Sequence, residues 1–212
     1  NATTPGVGFF GEEGGGGSLE HGRIWVADPL DGTINYATGS PLCGVMLALM
    51  EEGKPILSVI DLPFLDVRLD ARAGAGARVH GEHVEVSHVS CLADGIIAMG
   101  DAFHRPGPRH AAFLDLTTAV HREALRIRCV GSAAVLWSWL AAGQIQGLIF
   151  AHNNAYDVAP GQILVQEAGA MVSDYAGEPL RLQSDGAMAY VPGVRMRLLA
   201  LSAELARSSA RS

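Results

Sequence analysis

Trp25-Val26-Ala27-Asp28-Pro29-Leu30-Asp31-Gly32-Thr33-Ile34-Asn35-Tyr36 sets two carboxylates three residues apart around a proline turn. Residues 24–27 read as a short apolar strand closed by Asp28-Pro29, because proline holds the preceding residue extended and has no backbone donor. Asp28 and Asp31 then converge on one point, with the Leu30 carbonyl between them. Carboxylate and carbonyl oxygens with open positions suit Mg²⁺, which keeps several waters and binds substrate phosphates. Gly32 lets backbone N–H groups approach an anion, and Thr33 brings a hydroxyl to the start of a helical turn. Taken alone, D-P-x-D-G also reads as a plain surface turn, since Asp, Pro and Gly are turn formers.

Outward from this stretch the chain reads as mixed α/β. Upstream, the run Gly14-Gly15-Gly16-Gly17-Ser18 reads as a flexible loop. Downstream, strands are expected at 44–50 and 56–61, joined by the turn Glu51-Glu52-Gly53-Lys54-Pro55, then shorter ones at 67–69, 77–79 and 84–86. After Asp94 the pattern alternates: strand 95–99, helix 109–122, strand 125–130, an apolar helix 133–142 capped by Ser132 and stopped by Gly143, and strand 147–150. A second helix is expected to start at Asp157, with Pro160 in its first turn and Gly169 ending it, followed by strand 171–174. The expected division is 1–94, 95–205 and a tail 206–212. No internal repeat is visible.

Composition narrows the classes. The 212 residues carry a net charge of −7 and a single lysine, Lys54, which argues against a nucleic-acid backbone binder and against a P-loop. Cys43, Cys91 and Cys129 are odd in number and lack metal or disulfide spacing, so a reducing, cytoplasmic setting is expected. No apolar run approaches the ~18 residues of a membrane span. An acidic protein that binds a phosphorylated ligand needs a cation to mediate.

The twelve-residue stretch closely resembles the signature of the inositol monophosphatase family. Tyr156-Asp157-Val158-Ala159-Pro160-Gly161, with Glu167-Ala168-Gly169-Ala170 after it, resembles a second signature, and Gly11-Glu12-Glu13 a third, in the family's order and spacing. The resemblance runs from about Gly8 to Pro179. It implies a layered α-β-α-β-α sandwich of the inositol monophosphatase and fructose-1,6-bisphosphatase type. It also implies a homodimer and a Mg²⁺-dependent, lithium-sensitive phosphomonoesterase acting on a small phosphorylated metabolite.

Carried over, Glu12, Asp28 and the Leu30 carbonyl would hold a first Mg²⁺, and Asp28, Asp31 and Asp157 a second, with two to three ions per site. Glu12 and Thr33 would activate the attacking water, and Gly32 and Thr33 would meet the phosphate. Gly131, Ser132 and Ala133 match the segment lining the family's substrate pocket, and His152, Asn153 and Asn154 are candidate readers of the leaving group. Plain alternatives stand beside these roles: Asp157 as a helix cap, Glu12 as a solvated loop acid, Ser132 as a cap only. Trp137 and Trp139 read as packing, Arg122, Arg126 and Arg128 as surface charge, and the histidines as solvated or capping.

Three departures bear on function. The family opens with two helices and a further aspartate for a third, weaker metal site; nothing precedes Gly11-Glu12-Glu13 by enough to supply them, so residues upstream of Asn1 are expected. Tyr156 stands for the usual Trp. Phe150 stands where inositol-specific members carry an acidic residue, and a phenyl ring accepts no hydroxyl hydrogen bond. Histidinol-phosphate, fructose-1,6-bisphosphate and 3′-phosphoadenosine 5′-phosphate are therefore alternative substrates. A non-catalytic metal- or phosphate-binding relative is the rival from another class.

Overall fold

The computed structural model describes residues 4, 6–100 and 108–209. The first half of the chain builds one large mixed sheet. Its strands are β1 (Gly8–Gly11), β2 (Gly14–Gly16), β3 (Arg23–Asp31), β4 (Gly44–Glu51), β5 (Lys54–Leu62), β6 (Val67–Arg72), β7 (Ala77–Val79) and β8 (Glu82–Val84), in the order β2-β1-β3-β4-β5-β6-β7-β8. β1 runs parallel to β3 and every other neighbour is antiparallel. A single short helix, α1 (Thr33–Ala37), interrupts this series between β3 and β4.

The period-2 alternation of β4 decides its orientation. Met46, Ala48 and Met50 are buried, while Val45, Leu47 and Leu49 face the other way. Among the described residues no helix packs on that second face.

The second half builds β9 (Ile96–Met99), α2 (Pro108–Glu123), β10 (Arg126–Arg128), α3 (Ala133–Ala141), β11 (Gly147–Phe150), α4 (Ala155–Glu167), β12 (Met171–Ser173), β13 (Ala187–Tyr190) and α5 (Arg195–Ser209). The small sheet has the order β10-β9-β11-β13-β12, with β10, β9 and β11 parallel and β13 antiparallel to both its neighbours. α3 and α4 lie between the two sheets, and α2 and α5 pack together beyond the small one. Among the described residues this stacking supplies the β-α-β-α layers of the α/β sandwich that the resemblance implied. One continuous core, from Met46 and Ile60 through Trp137 and Leu140 to Ile149 and Met188, joins the halves. Among the described residues no helix is long and apolar enough to cross a membrane.

Several elements differ from expectation. The glycine run is not a loop: Gly14–Gly16 pairs antiparallel with β1, since ladder bonds need only main chain. β3 continues through Pro29, where the register shifts between Asp28 and Asp31; a bulge tolerates the missing proline donor. α4 begins at Ala155 with Asn154 in the capping position, so Asp157 is its third residue rather than its cap, and Pro160 lies inside the helix. β13 and α5 follow the last element expected from the sequence.

α3 and α4 approach so closely that Gly161 has no space for a side chain. A Cβ there would stand 2.0 Å from the Trp137 indole. Helix propensity alone would make Gly161→Ala stabilising by up to ~1 kcal/mol. The indole is fully buried and cannot retreat, and overpacking costs typically 1–3 kcal/mol or more. The expected result is a net fall of several degrees in the thermal midpoint; a rise would show that the helices separate freely.

Candidate active site

The bulge at Pro29 is what makes a site. In a regular strand, residues three apart point to opposite faces. Absorbing one residue turns both Asp28 (2 % exposed) and Asp31 (7 % exposed) inward. Asp157, from the first turn of α4, joins them. One carboxylate oxygen from each lies within 4.8 Å of the others.

Two buried acids and one largely buried acid at this range repel one another and lose hydration. Burial, followed by the charges of Asp31, Glu12 and Glu13, lifts Asp28 to about 6 against the hydrogen bond that Leu30 N–H gives its Oδ1 at 2.9 Å. Asp157 is lifted to about 7, chiefly by burial and then by Asp31, Asp28 and Glu12, against a lowering hydrogen bond from Asn154. A cluster that resists its own ionisation is matched to a bound cation. An all-oxygen donor set is the chemistry of hard divalent cations such as Mg²⁺, Mn²⁺ and Ca²⁺.

Each acid is held differently. The Asp31 carboxylate caps α3 from outside that helix: its Oδ1 accepts Ala133 N–H at 3.0 Å, and its Oδ2 accepts Ala134 N–H at 2.9 Å and the Ser132 hydroxyl. Asp157 Oδ2 accepts Asn154 Nδ2–H at 3.0 Å and has His152 Nδ1 at 3.6 Å. Its main-chain carbonyl accepts Trp137 Nε1–H at 2.8 Å, tying α4 to α3. Asn35 completes the frame, its Nδ2 reaching the carbonyls of Val130 at 2.6 Å and Leu42 at 2.7 Å.

Gly32 is required twice over. Its φ is +79°, which disfavours a Cβ, and a Cβ would meet the Leu42 carbonyl at 2.9 Å. The turn it makes presents Thr33, whose hydroxyl donates to the Leu30 carbonyl at 3.1 Å. Glu12 sits at the tip of the β1–β2 hairpin. It lines the same cavity but stands outside the three-carboxylate group.

The cavity, ≈ 340 Å³, is the size of a small-ligand site. Every site residue expected from the sequence lines it: Glu12, Asp28, Leu30, Asp31, Gly32, Thr33, Gly131, Ser132, Ala133, Asn154 and Asp157. His152, a candidate reader of the leaving group on the sequence but otherwise expected to be solvated or capping, faces Asp157. The signal for that contact is its place in the turn between β11 and α4, five positions before that acid. Phe150 also lines the cavity, 3 % exposed and packed against Trp137 with ring centroids 5.3 Å apart. Trp137 is packing, as expected.

Known proteins share this architecture. Residues 1–207 match the inositol monophosphatase family. Inositol-1-monophosphatase ImpA of Mycolicibacterium smegmatis is 33 % identical over 198 residues, 92 % of this chain and 71 % of that protein. Fructose-1,6-bisphosphatase/inositol-1-monophosphatase of Thermotoga maritima is 35 % identical over 163 residues, 76 % of this chain and 61 % of that one. The crystal structure of the extragenic suppressor protein suhB from Bartonella henselae superposes with a TM-score of 0.88 at 31 % identity, covering 95 % of this chain and 78 % of that one. The bulged Asp28–Asp31 turn, the Asp157 helix and the two-sheet frame that joins them thus have an assignment: this chain belongs to the inositol monophosphatase family.

Proposed function

We propose that this member of a family of phosphoric monoester hydrolases cleaves the phosphate ester of a small sugar, polyol or amino alcohol, with Mg²⁺ as cofactor. The observation that carries the reading is the convergence of Asp28, Asp31 and Asp157 in a cavity of small-ligand size. Asp28, Asp31 and Asp157, with Glu12 and the Leu30 carbonyl, would hold two to three ions. When bound, such ions lower the pKa of water and stabilise a departing alkoxide.

The chain's own groups divide the remaining work. Thr33 donates its hydroxyl hydrogen bond to the Leu30 carbonyl, so its oxygen lone pairs are free to accept a hydrogen bond from, and orient, the attacking water. Glu12, at the exposed hairpin tip, takes up the proton that water loses. Gly32 and Thr33 bound the phosphate end of the cavity. Gly131, Asn154 and His152 bound the leaving-group end, where Phe150 supplies a flat apolar wall and no acceptor. That wall disfavours a strict inositol preference, because each ring hydroxyl buried against it loses a partner. A homodimer, lithium sensitivity and a cytoplasmic setting belong to the same reading.

Phosphate release from a panel of inositol, sugar, histidinol and nucleotide monophosphates is the test. Turnover is expected only with Mg²⁺, is lost with a chelator, and is faster on a non-inositol ester. Mg²⁺ binding without turnover on any of them would favour a non-catalytic relative.

A further inference from the structure

We infer that Ser132 is a positioning residue that fixes the Asp31 carboxylate, and not a group that touches substrate. The inference rests on the metal reading above and assigns one residue of that site. A serine hydroxyl has one proton to give. Here it goes to Asp31 Oδ2, while Ser132 Oγ itself accepts Val135 N–H at 3.2 Å. The hydroxyl is 101 positions from Asp31 in the chain, buried with its residue 4 % exposed, and pinned from both sides.

Ala133 N–H and Ala134 N–H hold the other edges of the carboxylate. The first turn of α3 is therefore a mould for one ligand side chain. A carboxylate free to rotate about its χ2 must be ordered when a cation arrives; one already held by three donors is not. The residue sequence reasoning placed against the substrate thus acts through the metal ligand next to it. Its backbone neighbours are committed to the same task.

The experiment is calorimetric titration of Mn²⁺ and Mg²⁺ into the substrate-free protein, for wild type, Ser132→Ala, Ser132→Gly and Ser132→Thr. It is paired with the KM for substrate at saturating Mg²⁺. Glycine is a tolerated helix cap, so Ser132→Gly keeps the helix start if the alanine variant folds poorly. Loss of the hydroxyl is expected to weaken ion affinity about ten-fold, as loss of a ligand-orienting partner typically does. KM at saturating ion should stay within about two-fold, and threonine should restore wild-type affinity. Unchanged ion affinity in both hydroxyl-free variants overturns the assignment, and a raised KM with unchanged ion affinity moves Ser132 to the substrate. A wild-type protein that binds neither ion sinks the metal reading itself, a different result from wild-type binding left untouched by the substitutions.

Discussion

Asp31→Asn is expected to reduce Mg²⁺-dependent phosphate release on the order of 10³-fold, the scale of removing one group that stabilises developing charge. The substitution is nearly isosteric, so its effect is chemical. Asp31 accepts from Ala133 N–H on one oxygen and from Ala134 N–H and the Ser132 hydroxyl on the other. Whichever way an asparagine amide turns, its NH₂ meets a backbone N–H, and one hydrogen bond becomes a donor–donor clash. The start of α3 then shifts in the same step that removes a negative ligand. Far-ultraviolet circular dichroism checks that the variant is folded, and steady-state assay at raised Mg²⁺ measures the loss. Activity above a tenth of wild type would mean that Asp31 only caps α3.

Stability of the metal-free protein should fall as pH rises from about 4 to about 7. Asp157 is lifted from 3.8 to about 7 and Asp28 to about 6, both mainly by burial. In that window the folded chain holds protons that the unfolded chain has already released, so unfolding sheds protons and stability drops with pH. For Asp157 alone the difference amounts to about 4 kcal/mol once it is fully ionised. That corresponds to roughly 10 °C in the melting midpoint of a protein this size. Asp28 titrates together with it, so the two effects do not simply add.

Thermal melts in chelator at pH 5 and pH 8 read the effect, with the lower midpoint expected at pH 8. Saturating Mg²⁺ should abolish the difference, because the cation stabilises the ionised forms. Asp157→Asn should flatten the metal-free profile and raise its pH 8 midpoint, while removing metal dependence. A midpoint that climbs between pH 5 and pH 8, with and without Mg²⁺ alike, would contradict the electrostatics of the cluster.

The large sheet was legible because its hydrophobic alternation is local. Met46, Ala48 and Met50 announce one face of β4, and the turn at Gly53 announces the hairpin to β5. The missing donor of Pro29 marks a strand end in the sequence, and the bulge that accommodates it leaves no local signal. The glycine strand β2 carries no side-chain pattern at all. β13, Ala-Met-Ala-Tyr, is buried on both faces, and a four-residue run of that kind has no period to detect.

At the site the residue types were legible and their attachments were not. Asp28, Asp31 and Asp157 stood out by motif. The hold of Ser132 on Asp31, the tie from Trp137 to the Asp157 carbonyl and the approach of His152 to Asp157 depend on tertiary packing. The motif points to Asp157 as a helix start, whereas Asn154 holds the capping position because the helix begins two residues before the acid.

Anomalous scattering from crystals grown with saturating Mn²⁺ in place of Mg²⁺ gives the most direct answer about the cluster. An ion peak is expected within about 2.3 Å of a carboxylate oxygen from each of Asp28, Asp31 and Asp157, inside the pocket bounded by Thr33 and Phe150. No peak among those three side chains, or a peak held by only one of them, would contradict a metal-dependent phosphatase at this site.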